Sequence, residues 1–123
     1  MQVVREQLAT SPEQWRALLD SDAQWVVRNE EDWTALLASE DNPLKDIDQE
    51  VVRAFTEGLT FNKGGLAGAD YTMLEDIITF AQFYRLWEHF GLDRGLCDDY
   101  KDYKCDGRGN CRRWLGFICT RNC

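Results

Sequence analysis

Apolar residues recur at helical spacing through most of the chain, and each stretch opens on a side chain able to cap a helix. Ser11-Pro12-Glu13-Gln14 combines an N-cap serine, proline at the first helical position and a capping-box glutamine. Trp15, Leu18 and Leu19 follow on one face. Ser21-Asp22-Ala23-Gln24 repeats the capping-box pattern ahead of Trp25, Val26 and Val27. Asn29 precedes Glu30-Glu31-Asp32, three acids where the helix dipole favours negative charge, with Trp33, Leu36 and Leu37 as the apolar stripe. After a break at Asp41-Asn42-Pro43, a helix is predicted over 46–57, with Ile47, Val51, Ala54 and Phe55 on one face and Gly58 as its stop.

The glycines and the Asn62-Lys63 turn between Leu59 and Ala69 signal a loop or short hairpin, and Asp70 is placed to cap a helix running to Ile78. The clearest helix begins at the capping box Thr79-Phe80-Ala81-Gln82. Phe80, Phe83, Tyr84, Trp87 and Phe90 fall at i, i+3, i+4, i+7 and i+10, Gly91 marks the C-terminal stop, and the aromatic face reads as core. A short repeat, 13–19 against 31–37, is two similar helix starts that each bury one tryptophan; a solenoid needs about three copies.

Beyond Gly91 the periodicity is lost. Residues 92–96 read as a linker, and 97–110 are rich in Asp, Tyr, Lys and Gly. Residues 112–119 fit one strand or a short helix, with Gly116 weakening either. The predicted fold is therefore mainly α: a small bundle of five or six short helices forming an acidic domain over 1–92. An irregular, basic, cysteine-rich tail over 93–123 is expected to dock on it.

A chain of 123 residues with 44% hydrophobic content is one small domain with enough apolar mass for a core. Its net charge of -8 is unevenly spread. Residues 104–123 carry five cations against Asp106 alone, a local charge of +4 that leaves -12 on residues 1–103. The acidic body argues against nucleic-acid binding, which needs clustered Lys and Arg. No apolar run approaches the roughly 18–20 residues of a membrane span. The opening residues lack the pattern of a signal peptide, so a cytoplasmic location is expected by default, and a secreted one if the tail is disulfide-bonded or exported through a leader.

All five cysteines fall in the last 27 residues, spaced C-x7-C-x5-C-x7-C-x3-C. Two chemistries would order such a tail. Cys105, Cys111, Cys119 and Cys123 are candidate ligands of one structural zinc, with Cys97 and His89 as substitutes, since thiolates suit tetrahedral zinc; no C-x2-C knuckle supports it. Alternatively the same four cysteines form two disulfides and leave Cys97 over. An EF-hand-like start at Asp102 fails, because Lys104 and Arg113 occupy ligand positions.

The expected function is non-enzymatic: an acidic helical binding or regulatory protein with a protein partner, its tail ordered by zinc or disulfides. The alternative is a precursor whose leader presents the basic tail for modification or release. A thiol enzyme built on Cys97, with His89 as base, is the third reading, and no C-x-x-C motif supports redox chemistry.

Overall fold

Helix starts in the first half are set by local capping, and the structure, a computed structural model describing residues 2–123, shows these caps in place. Ser11 Oγ accepts from Gln14 N at the head of α1 (Pro12–Leu19), Asn29 Oδ1 from Asp32 N at α2 (Glu30–Leu37), and Asp48 Oδ1 from Glu50 N at α3 (Gln49–Glu57). The capping box expected at Ser21 does not open a helix. Ser21 Oγ instead turns back to donate to Leu18 O. The Arg28 guanidinium then takes the carbonyls of Leu18, Leu19, Ser21 and Ala23 at 2.6–3.3 Å, so the segment wraps around one cation. The β-branched pair Val26-Val27 follows outside any helix, fully buried.

The expectation of a mainly α fold is overturned by a four-stranded antiparallel sheet. β1 (Thr60–Asn62) and β2 (Gly65–Asp70) form a hairpin through Lys63-Gly64, whose φ values of 51° and 77° are those of a type I′ turn. Thr72–Leu74 makes one 3-10 turn where a helix from Asp70 was expected. α4 (Phe80–Glu88) starts on the Thr79/Gln82 capping box. A helix not foreseen, α5 (Arg94–Tyr100), occupies the supposed linker: Asp93 caps it by accepting from Leu96 N. β3 (Lys101–Cys105) and β4 (Cys111–Cys119) complete the sheet in the order β1-β2-β4-β3. The cysteine-bearing segment is thus not an irregular tail: β4 pairs with β2 in the register Gly68↔Cys119, Ala69↔Ile118 and Asp70↔Phe117.

The core is aromatic at its centre. Trp33, Phe55, Trp87 and Phe90 contact one another with ring centroids 5.5–5.9 Å apart, and each is at most 1% exposed. The same cluster takes in Leu96, Cys97, Tyr100 and Ile118, so residues on both sides of position 92 share it. Trp15 Nε1 donates to Phe90 O at 2.9 Å and its ring meets Tyr100, joining α1 to both. On α4 the aromatic stripe is only partly core. Trp87 and Phe90 are buried, Phe83 and Tyr84 are half-buried, and Phe80 is 86% exposed. On α3, Val52 and not Ala54 accompanies Phe55 inward.

Candidate docking loop

β4 cannot be straight. Cys111 and Cys119 stand at its two ends, eight residues apart, which in extended chain means roughly 26 Å; their Cα atoms are 6.0 Å apart and a disulfide joins them. The ladder with β3 shows where the chain leaves. Tyr103 lies opposite Arg113 and Lys101 opposite Ile118, so residues 114–117 are looped out from the β3 ladder, with Phe117 paired to Asp70 of β2 instead. A second disulfide, Cys105–Cys123, ties the end of β3 to the last residue. The result is a ring of nine residues closed by a cystine, with Trp114 and Leu115 within the looped-out part.

The loop is anchored on the sheet side by Asp102, Tyr71 and Gly116. Gly116 O accepts from Tyr71 N at 2.8 Å, while Gly116 N and Tyr71 Oη both donate to Asp102 Oδ1, at 3.2 and 2.7 Å. Gly116 has φ +86°, and a β-carbon there would run into Thr72 Cγ2, so the position takes only glycine without displacement. Asp102 itself holds φ +66°, which its two hydrogen bonds fix. Burial works to raise the pKa of the Asp102 carboxyl. The hydrogen bonds from Tyr71 and Gly116, aided by the charges of Lys101 and Arg113, outweigh it and hold the group below the usual carboxylate range. The Tyr71 phenol is driven strongly upward, by desolvation first and then by the Asp102 bond and charge, so it stays a donor.

Around the loop, cations lie on aromatic faces. Lys104 Nζ sits 4.9 Å from the Trp114 ring centroid and 5.0 Å from that of Phe117, and Arg112 stacks 4.8 Å from Trp114. Arg113 lies 5.8 Å from Tyr103. Such pairs keep the rings ordered while leaving the charges exposed. Trp114 remains 41% and Leu115 69% exposed.

The other residues singled out by sequence are placed differently. Cys105, Cys111, Cys119 and Cys123 come together, as two cystines, and so paired they offer no thiolate to zinc. Among the described residues no group of three or more His, Cys, Asp or Glu is arranged to hold a metal ion. Cys97 is unpaired and fully buried on α5; desolvation, with Asp98 nearby, pushes its thiol far above the ordinary range. His89 ends α4 at 8% exposure with Nδ1 lacking a hydrogen-bond partner, and burial lowers its pKa against the opposing pull of Asp41. Sequence reasoning missed Asp102 and Gly116 as site residues; the bare signal was a glycine inside an otherwise apolar, β-compatible run.

Comparison with protein-family models, curated proteins and solved structures yields no match.

Proposed function

We propose that the protein is a non-enzymatic binding protein that presents the disulfide-closed loop 111–119 to an acidic surface on a protein partner, in an oxidising compartment. One observation carries the reading: Trp114 and Leu115 stand exposed within a loop that a cystine and the Asp102–Gly116–Tyr71 bonds hold in shape. Tryptophan and arginine dominate the energy of protein interfaces, and a loop already ordered loses little entropy on docking. Lys104, Arg112 and Arg113 around the apolar pair favour acidic surfaces and speed encounter with them. The two cystines support an oxidising location over the cytoplasm, where thiols are kept reduced. The protonated, buried state of Cys97 supports binding over thiol catalysis.

A photo-crosslinking amino acid placed at Leu115, with Glu31 on the exposed acidic face of α2 as the control position, tests this in cells of the native host. The expected result is a discrete protein adduct from position 115, through an acidic surface of the captured protein, and none from position 31. Adducts of equal pattern from both positions, or from 115 to a basic surface, would overturn the proposal.

A further inference from the structure

Beside the root of the loop lies a groove of about 600 Å³, walled by Tyr71, Phe80, Phe83 and Tyr84 and edged by Glu75 and Asp76. Its chemistry is the converse of the loop's. Both are apolar at the centre, with Phe80 86% exposed in one and Leu115 69% exposed in the other. The loop is rimmed by Lys104, Arg112 and Arg113, whereas the groove carries carboxylates, with Lys101 as the one cation among the residues that line it. The two are neighbours on one face: Asp102 lines the groove and holds Gly116 of the loop, and Tyr71 does both as well.

Two complementary patches side by side are what a twofold interface requires, because rotation about an axis between them brings each onto the other's counterpart. We infer that the acidic partner of the loop is a second copy of this chain, the loop of each protomer seated in the groove of the other. The inference rests on the loop-docking reading and names its partner. Net charge opposes it, since two chains of -8 repel as whole bodies. The local arrangement decides at physiological ionic strength, where the screening length is about 8 Å: contacts across the interface survive and repulsion between distant bodies does not.

The sign of the salt effect separates the two cases. Like-charged bodies without complementary patches associate more readily as salt rises; loop cations on groove carboxylates associate less readily. Sedimentation velocity of the full oxidised chain from 2 to 200 μM, in 50 and 500 mM NaCl, is expected to show a monomer–dimer equilibrium that weakens at least severalfold in high salt. The double variants R112E/R113E and E75K/D76K, all four positions exposed, are each expected to lose dimer at least tenfold. Mixed in equal amounts, they should form a heterodimer, since both loop-and-groove contacts then pair opposite charges. Phe80→Asp, at a side chain that packs little, serves as a variant whose near-UV circular dichroism should stay native while its dimer is lost. A monomer throughout the range, a dimer strengthened by salt, or a mixture that fails to reassociate would overturn the inference. If the purified chain is monomeric while position 115 still crosslinks to another protein, self-association alone falls; if it does neither, the docking reading falls with it.

Discussion

Gly116 holds the loop by having no side chain, and the cost of supplying one follows from two independent facts. A residue with a β-carbon at φ +86° is strained, and here the β-carbon also meets Thr72. Gly116→Ala is expected to lower stability by about 1–3 kcal/mol in urea unfolding, with the near-UV signal of Trp114 altered. Asp102 acts from the opposite side of the same contact. Its folded pKa lies below the unfolded value near 3.9, so its contribution is complete at neutral pH and is lost as pH falls through that value and on through the folded pKa. Asp102→Asn should remove this acid-sensitive part of the stability profile at a cost of about 1–2 kcal/mol at pH 7, measured by denaturant titrations between pH 2 and 7. His89 governs a separate window. Its folded pKa is lowered, so the unfolded chain binds the proton more readily, and stability is lost as pH drops below about 6.5. His89→Gln should flatten the profile just below about pH 6.5 and leave the carboxylate limb unchanged.

Elements whose signals are local were legible in the sequence, and elements made by distant partners were not. Ser11, Asn29 and Thr79 cap helices because serine, asparagine and threonine reach an amide three residues on, a distance that sequence fixes. β2 reads Gly-Leu-Ala-Gly-Ala-Asp, without alternation, because it is covered on both faces, and its partner β4 arrives some 50 residues later. β3 is rich in charge and gains its extended form from pairing with β4 alone. α5 was hidden by Gly95 and by its length of only seven residues, too short for a helical period to show. The four cysteines were legible as one set, held by zinc or by disulfides; the choice and the pairing were not, since the short spacing 111–119 closes only if the strand between folds over. That closure is worth about 2.5 kcal/mol on the loop-entropy argument, and Cys111→Ser with Cys119→Ser should lose about that much in thermal or urea unfolding. The greater loss should be functional, as Trp114 and Leu115 then become mobile.

At the scale of the molecule, β4 runs between β2 and β3, and Leu96, Cys97, Tyr100 and Ile118 sit in the common core. Deleting residues 97–123 would strip two strands and the core contacts of Cys97, Tyr100 and Ile118 together. The truncated chain is expected to show no cooperative unfolding transition by circular dichroism or calorimetry; a sharp transition would instead mark a separable tail, as a precursor requires. The polarity of the chain is also built in at this scale, with -12 on residues 1–103 facing +4 on the remainder, so ionic strength should move binding more than stability.

The buried position of Cys97 has a bearing on how the molecule is made. Five thiols compete for partners in a newly synthesised chain, and a stray bond to the odd sulfur would strand another cysteine. Packing α5 against the interior withdraws that sulfur from the competition, provided collapse comes before oxidation. Chains allowed to collapse before an oxidant is added should therefore reach the 105–123 and 111–119 pairing in higher yield than chains oxidised in denaturant, with Cys97 as the one alkylatable thiol once the product is unfolded.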